Sequence, residues 1–296
     1  MQLAPWILEP LQASFFTNAL WGGILAALIC AVAGTWVVVR GMAFLGEAVS
    51  HGMLPGVAIA AVAGASPLVG AGISALVMAI GIGWLTRRAR LSQDTAIGIA
   101  FVIMLSIGVI IVSKSRNFAT DLTAILFGDI LAISTAELWV LTGGLALVMA
   151  LAFLLRRPLT ALALDENLAR TLGMRPRLAQ VALTILVTIA VVASYRAIGS
   201  LLVVALLVAP AATASLWARS IPAVMAWAAL LGSVAVVAGL YISWFAATAA
   251  GASISAVSGL FFLVAASLRP LFHRRSCAPA DALVAGAAPG PAPTSH

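Results

Sequence analysis

The sequence predicts an all-α membrane protein, a polytopic bundle of about nine transmembrane helices. Hydrophobic residues make up 63% of the 296 residues and charged residues only 8%, whereas soluble globular proteins carry about 45–50% apolar and about 25% charged residues. The apolar residues form continuous runs near the length of about 20 residues that a membrane-spanning helix needs, not the alternating pattern of a transmembrane strand. A soluble enzyme, a nucleic-acid-binding protein and a disordered scaffold are therefore excluded.

The apolar segments number eight or nine, depending on whether each one crosses the membrane. We expect spans at 15–39, 41–64, 67–86, 95–113, 135–155, 178–196, 198–218, 222–246 and 252–272. Together with their loops these spans form one transmembrane domain over residues 1–275. The stretch 276–296 is rich in Ala, Pro and Gly and is expected to be a disordered cytoplasmic tail.

Lysine and arginine residues indicate the orientation, because cytoplasmic loops carry an excess of them. If the most basic loop, 156–177, lies inside, alternation leaves only three of the 16 cations outside. These three are Lys114, Arg116 and Arg196. The amino terminus is then predicted outside and the carboxyl terminus inside. Asp121 and Asp129 fall in the outer loops, where we expect a mildly acidic entrance.

The predicted span 41–64 contains ionisable residues, which are costly in a bilayer and mark function by default. Glu47 and His51 are four residues apart and share one face of a helix. Counted from Arg40 at about 1.5 Å per residue, His51 lies roughly 16 Å into a core about 30 Å thick. A carboxylate and an imidazole supply half of a transition-metal site, which a second copy of the chain could complete at a symmetry axis. The alternative is a structural pair that braces a kink.

The same span contains a small-residue step and a proline. Gly52 and Gly56 allow close helix contact, and Pro55 frees the carbonyl of His51 four residues earlier. A broken helix that lines a cavity can offer such carbonyls to a cation, and ordinary helix packing is the equal alternative. Pro210 is expected to kink another span, in a structural role.

The cytoplasmic loop segment ALALDENLARTLGMR, at 161–175, indicates a short amphipathic helix. Asp165 and Glu166 near its start suit the helix dipole, and Gly173 is a suitable stop. Such a helix could dock into a soluble partner or simply connect two spans, and both interpretations stay open on the residues alone.

An energy source is missing from the sequence. The sole lysine, Lys114, ends a span, and Ser113 stands where a phosphate-binding loop needs a glycine. No Ser/His/Asp or Cys/His arrangement suits catalysis either, because His51 is the only histidine placed in the membrane. The chain is therefore not expected to be an enzyme, and any ATPase that drives it must be a separate chain.

The sequence resembles the permease subunits of bacterial ABC importers for zinc, manganese and iron. The resemblance covers roughly residues 15–270, and its most specific parts are SHGMLPGVA and LFGDILA. The segments that carry it, in matching order and spacing, are VVVRGMAFLGEAVSHGMLPGVAIA, AIGIAFVIMLSIGVIIV, LFGDILAIS, ALDENLARTLGMR, AIGSLLVVALLVAPAATASLWA and GASISAVSGLFF.

The resemblance implies a homodimer in the bacterial cytoplasmic membrane, two copies of a separate ABC ATPase, and a periplasmic or lipid-anchored metal-binding protein. The family's acid-x-x-Ser-His element falls on Glu47, Ser50 and His51 and implies a metal path there. The family often has aspartate where this chain has Glu47, and the extra methylene could shift the preferred ion size. The ATPase-docking helix of the family falls on the segment with the four residues Asp165, Glu166, Ala169 and Gly173.

We therefore expect the permease subunit of an ATP-driven divalent metal importer, with zinc first and manganese or iron as the alternative. The metal is cargo, and no permanently bound cofactor is expected. A proton-coupled secondary transporter would use the same Glu47–His51 pair as a proton relay. An intramembrane metalloenzyme would need a third ligand or a second acid in the membrane, and a siderophore importer would not require His51.

Overall fold

The computed structural model describes residues 9–89, 91–114, 128, 130–164 and 176–273, and the regular structure within them is helical. Two short 3-10 turns, Pro10–Gln12 and Ile130–Ala132, accompany the helices. We number the helices α1 (Ser14–Val39), α2 (Phe44–Gly52), α3 (Leu54–Val62), α4 (Pro67–Arg88), α5 (Gln93–Lys114), α6 (Thr135–Leu154), α7 (Arg156–Leu164), α8 (Pro176–Ile198), α9 (Ser200–Ser215), α10 (Ile221–Ala246) and α11 (Ala250–His273).

Each of the nine predicted spans coincides with helical structure. Eight segments of the described chain are long and apolar enough to cross a membrane, and α2 and α3 together count as one of them. The exception is α9, whose 16 residues rise only about 24 Å at 1.5 Å per residue. The prediction of an all-helical polytopic bundle with eight or nine spans is confirmed.

The amphipathic helix expected within 161–175 stays a prediction, because most of it falls outside the described residues. The described part of the basic loop forms the helix α7, Arg156–Leu164. The proline of its RRP start lies in the first turn, where a missing N–H is tolerated. The residues 165–175 themselves lie outside the described part of the chain, as does the predicted tail at 276–296.

The predicted span 41–64 is broken into two helices at Met53. Pro55 is the second residue of α3, a position that suits proline because its N–H would be unpaired there anyway. Met53 keeps helical angles, with φ −78° and ψ −22°, so the chain bends without forming a loop. The two halves are therefore one kinked unit, α2–α3.

Contacts between distant segments define the two ends of the bundle. At one end Arg40 of the α1–α2 junction bonds to Leu162 of α7. At the other, Arg196 of α8 forms a 3.0 Å ion pair with Glu137 of α6. Helix α8 therefore runs from the first end, where Gln180 bonds to Arg40, to the second end at Arg196. In the interior, α1 packs against α6, α8, α9 and α10, and the kinked unit α2–α3 packs against α4, α5, α8 and α9.

Candidate metal-binding site

The two predicted ligands lie together on the face of α2. Nε2 of His51 is 2.7 Å from Oε1 of Glu47, one helical turn away. Their side chains are 17% and 29% exposed respectively, so both are enclosed but not sealed. The helix itself creates the pair, because residues at i and i+4 are neighbours on its surface.

An aromatic wall from α5 borders the pair. The ring of Phe101 meets the ring of His51 edge-on at 5.7 Å between centroids. The ring of Phe44, at the start of α2, also contacts the ring of Phe101, with 5.4 Å between the centroids and 72° between the ring planes. These rings fix the orientation of the imidazole and shield it from water on that side.

The second ring nitrogen of His51 has no hydrogen-bond partner. Nδ1 is buried and unpaired among the described residues, although buried polar atoms are normally satisfied. A neutral imidazole that donates through Nε2 to Glu47 carries its free lone pair on Nδ1. The pair therefore presents an unused nitrogen donor beside a carboxylate, which is the chemistry of a metal ligand set.

Ser50 adds a second unsatisfied polar atom on the same helix. Its side chain is 2% exposed and its Oγ has no partner in the described structure. Ser50 follows Glu47 by three residues, so the two lie on neighbouring positions of one face. A hydroxyl oxygen is thus held next to the acid–imidazole pair without a protein group to bond.

Helix α4 stabilises the bend that follows the pair. Oγ of Ser74 donates to the carbonyl oxygen of Gly52 at 2.7 Å. The carbonyl of Gly52 is therefore capped by α4 and is not offered to a cation. Close to it, the backbones of Gly56 and Gly70 touch so closely that a Cβ on either would collide with the carbonyl of the other. The small-residue step is thus a packing contact between α3 and α4.

Pro210 lies inside α9 and is buried. Its ring faces the α-carbon of Gly232 in α10, where an added Cβ would stand 3.7 Å from the Cγ of Pro210. This is a packing contact between α9 and α10, and the kink expected at Pro210 of α9 stays a prediction. The same helix reaches the site helix elsewhere, since Leu207 packs beside Gly46.

Several predicted site residues lie outside the described part of the chain. They are Asp121 and Asp129 of the expected outer entrance and Asp165, Glu166, Ala169 and Gly173 of the expected docking segment. Among the residues that are described, no group of three or more His, Cys, Asp or Glu side chains could hold a metal ion. Within these residues, Glu47 and His51 are thus the two candidate ligands that one chain brings together.

Sequence reasoning missed the residues that frame the pair. Phe101 and Ser74 belong to α5 and α4, and each sits in an apolar run with no local feature that sets it apart. Their roles arise from contacts between helices far apart in sequence. One general signal could have indicated Ser74. A backbone carbonyl near Pro55 needs a hydrogen-bond donor, and a serine on a neighbouring helix can supply one.

A bundle of membrane-length helices with an ionisable pair enclosed in a kinked one is the architecture of a membrane transport protein. The chain belongs to the ABC 3 transport family, whose model matches residues 12–269. The resemblance to permease subunits of metal-importing ABC transporters is thereby confirmed. The chain is therefore a multi-pass membrane subunit of a bacterial ABC transporter. Permeases of this family lack an ATPase domain.

Named relatives cover nearly the whole chain. It is 36% identical over 260 residues to the manganese transport system membrane protein MntC of Halalkalibacterium halodurans, which spans 88% of this chain and 89% of that protein. It is 34% identical over 261 residues to a probable iron transport system membrane protein of Haemophilus influenzae, spanning 88% and 96% respectively. The solved structure of PsaBC from Streptococcus pneumoniae with a Fab superposes with a TM-score of 0.78 at 33% identity, covering 89% of this chain and 95% of that one.

Proposed function

We propose that the chain imports manganese, or the chemically similar ferrous iron, and that the enclosed Glu47–His51 pair is the ligand set in its path. The observation that carries this proposal is the 2.7 Å acid–imidazole contact with an unpaired Nδ1. The names of the relatives, manganese and iron transport proteins, support this choice of metal. The expectation that zinc comes first finds no support in those names.

The chemistry of the pair suits this cargo. Carboxylate oxygen is a ligand that manganese accepts readily, and imidazole suits iron as well as zinc. Two side chains are too few for a closed site, so we propose that a second copy of the chain supplies its own Glu47 and His51 across a two-fold axis. Ser50 would add an oxygen donor from each copy.

The transport cycle follows from the partners of an ABC importer. We propose that a binding protein delivers the ion at the outer end, where Asp121 and Asp129 lie in the predicted loops. The ion then passes the Glu47–His51 pairs, and a separate ATPase docks on the segment with Asp165, Glu166, Ala169 and Gly173. ATP binding and hydrolysis there would switch the path between the two sides. The amino terminus faces outwards in this scheme.

Metal uptake by the reconstituted importer tests the proposal. With its ATPase and binding protein, the wild-type chain is expected to accumulate manganese or iron in vesicles in an ATP-dependent way. Glu47→Gln and His51→Gln should each abolish uptake, because each removes one ligand type, while the complex still assembles.

Glu137→Gln is the matched control. It neutralises an acid of similar exposure that pairs with Arg196 at the far end of the bundle, and glutamine still serves its capping box. Wild-type uptake by both Glu47→Gln and His51→Gln would refute the site. Uptake that needs a proton gradient but no ATPase would instead identify a secondary transporter.

A further inference from the structure

Arg40 joins three elements at one end of the bundle. Its Nη1 donates to the carbonyl oxygen of Leu162 at 2.6 Å and its Nη2 donates to Oε1 of Gln180 at 3.4 Å. Arg40 directly follows the last residue of α1, Leu162 lies near the end of the described part of α7, and Gln180 lies near the start of α8. Gln180 also reaches Sδ of Met42 with its Nε2, at 3.4 Å.

The position of this guanidinium is unusual for a membrane-boundary arginine. Such side chains normally extend their charge towards water. Arg40 is instead half-buried, and its Nε is buried without a hydrogen-bond partner among the described residues. Both of its acceptors are neutral, and no carboxylate of the described chain pairs with it. The hydrogen bonds of Arg40 to α7 and α8 are therefore the interactions that compensate for the partial burial of its charge.

The backbone connects Arg40 rigidly to the site helix. After Arg40, Gly41 adopts a left-handed φ of +68°. The N–H of Met42 bonds to the carbonyl of Val37 at 2.9 Å and that of Gly41 to the carbonyl of Val38 at 3.0 Å, which together form a Schellman motif. Helix α2, which carries Glu47 and His51, begins directly after this tight turn.

The other side of the contact is Leu162, two residues before the last described residue of α7. Arg40 donates to its carbonyl oxygen from the end of α1 and so ties α7 to a different helix. The chain continues from α7 into residues 165–175, the segment on which we propose that the ATPase docks.

We infer that Arg40 is a positioning residue that couples the ATPase-docking end of α7 to the Glu47–His51 helix α2. When the docked ATPase moves the end of α7, the bond to Leu162 passes that displacement through the Schellman turn to α2. This inference rests on the proposed function and adds the connection between its two sites. Arg40 itself does not touch the cargo.

The ratio of metal transported to ATP hydrolysed tests this coupling role. In the reconstituted complex of permease, ATPase and binding protein, Arg40→Gln should leave assembly and ATP hydrolysis in place. It should lower manganese uptake per ATP by about tenfold or more, the scale of one lost charge-assisted hydrogen bond. Arg40→Lys, which keeps the charge but not the planar fork, should restore part of the ratio.

Arg87→Gln provides the matched control. Arg87 lies at the end of α4 that we place on the same side of the membrane. Within the described part of the chain, its Nε bonds inside its own helix, to the carbonyl of Gly83 at 2.8 Å. Its removal should leave uptake per ATP unchanged. An equal loss in Arg87→Gln, or a wild-type ratio in Arg40→Gln, would overturn the inference.

Two further variants decide the question if Arg40→Gln fails to assemble. Gln180→Leu removes one acceptor of Arg40 without changing any charge, and Arg40→Lys keeps the cation. A reduced uptake per ATP in either assembled variant supports the coupling role, and wild-type ratios in both overturn it. Failure of the proposed function is distinguishable, because the wild-type complex itself would then take up no manganese or iron.

Discussion

At the scale of single residues, the unsatisfied atoms carry the functional information. A buried polar atom without a partner destabilises a fold by about 1–3 kcal/mol. Among the residues that the structure describes, Nδ1 of His51 and Oγ of Ser50 are both in this state, within one turn of the Glu47 carboxylate. A pair that only braced a kink would satisfy itself, whereas one that receives an ion must keep donors unused between transport events.

Shortening the carboxylate tests whether reach or charge matters at position 47. Glu47→Asp keeps the negative charge on the same face of α2 but withdraws it by one methylene from the 2.7 Å contact with His51. We expect uptake to persist, with a manganese-to-zinc uptake ratio that differs several-fold from the wild type, about 1 kcal/mol of discrimination. Competition between the two metals in reconstituted vesicles measures this ratio.

The neutral variant of the same length is the control for that experiment. Glu47→Gln preserves the shape and removes the charge. If Glu47→Asp lost uptake as completely as Glu47→Gln, the site would require both the charge and the length of the Glu47 side chain. An unchanged metal ratio in Glu47→Asp would show that position 47 does not set selectivity.

At the scale of elements, the contact between α3 and α4 holds the kinked unit in place. Gly56 and Gly70 let the two backbones touch, and Ser74 caps the carbonyl of Gly52 beside the bend. Helix association in a membrane depends on such close packing, because lipid tails are as apolar as the helices. Contacts with α4 therefore hold the bend that follows His51 in its conformation.

A single methyl group at this contact should separate the helices. Gly56→Ala places a Cβ against the carbonyl of Gly70, and overpacking of this kind destabilises by about 1–3 kcal/mol. We expect a lower melting temperature of the purified protein in detergent. Gly72→Ala, on the neighbouring helix α4, is the control, because an added Cβ there meets open space and should leave the melting temperature unchanged or slightly higher. Equal melting temperatures of Gly56→Ala and the wild type would contradict this packing account.

At the scale of the whole molecule, exposed tryptophans lie at both ends of the bundle. Trp139 lies two residues from Glu137 of the Glu137–Arg196 pair, and Trp244 stacks on Phe15 near the start of α1. Trp217 follows the far end of α9, which begins directly after Arg196 and α8. Tryptophan is enriched where a membrane meets water. Exposed tryptophans at both ends agree with a bundle whose two ends face opposite sides of a bilayer.

Much of this architecture could be predicted because it is written in local patterns. Runs of apolar residues predict the spans, and the four-residue spacing predicts that Glu47 and His51 meet. The aromatic wall of Phe101 and the cap from Ser74 could not be predicted, because they depend on which helices become neighbours. The contact of Arg40 with Leu162 could not be predicted for the same reason, since 122 positions separate the two residues.

The direction of insertion is a prediction of the charge distribution, and both ends of α10 offer positions to test it. Ser220, just before this helix, and Ala249, just after it, are exposed, and cations are expected to hold the Ser220 end inside. In right-side-out vesicles, a membrane-impermeant maleimide should label Ala249→Cys directly but Ser220→Cys only after permeabilisation. Cys30 is fully buried and should give no background, and Cys277 would be replaced by serine in both variants. Labelling in the reverse order would place the amino terminus inside, and the proposed docking of the ATPase near Arg40 would then be on the wrong side of the membrane.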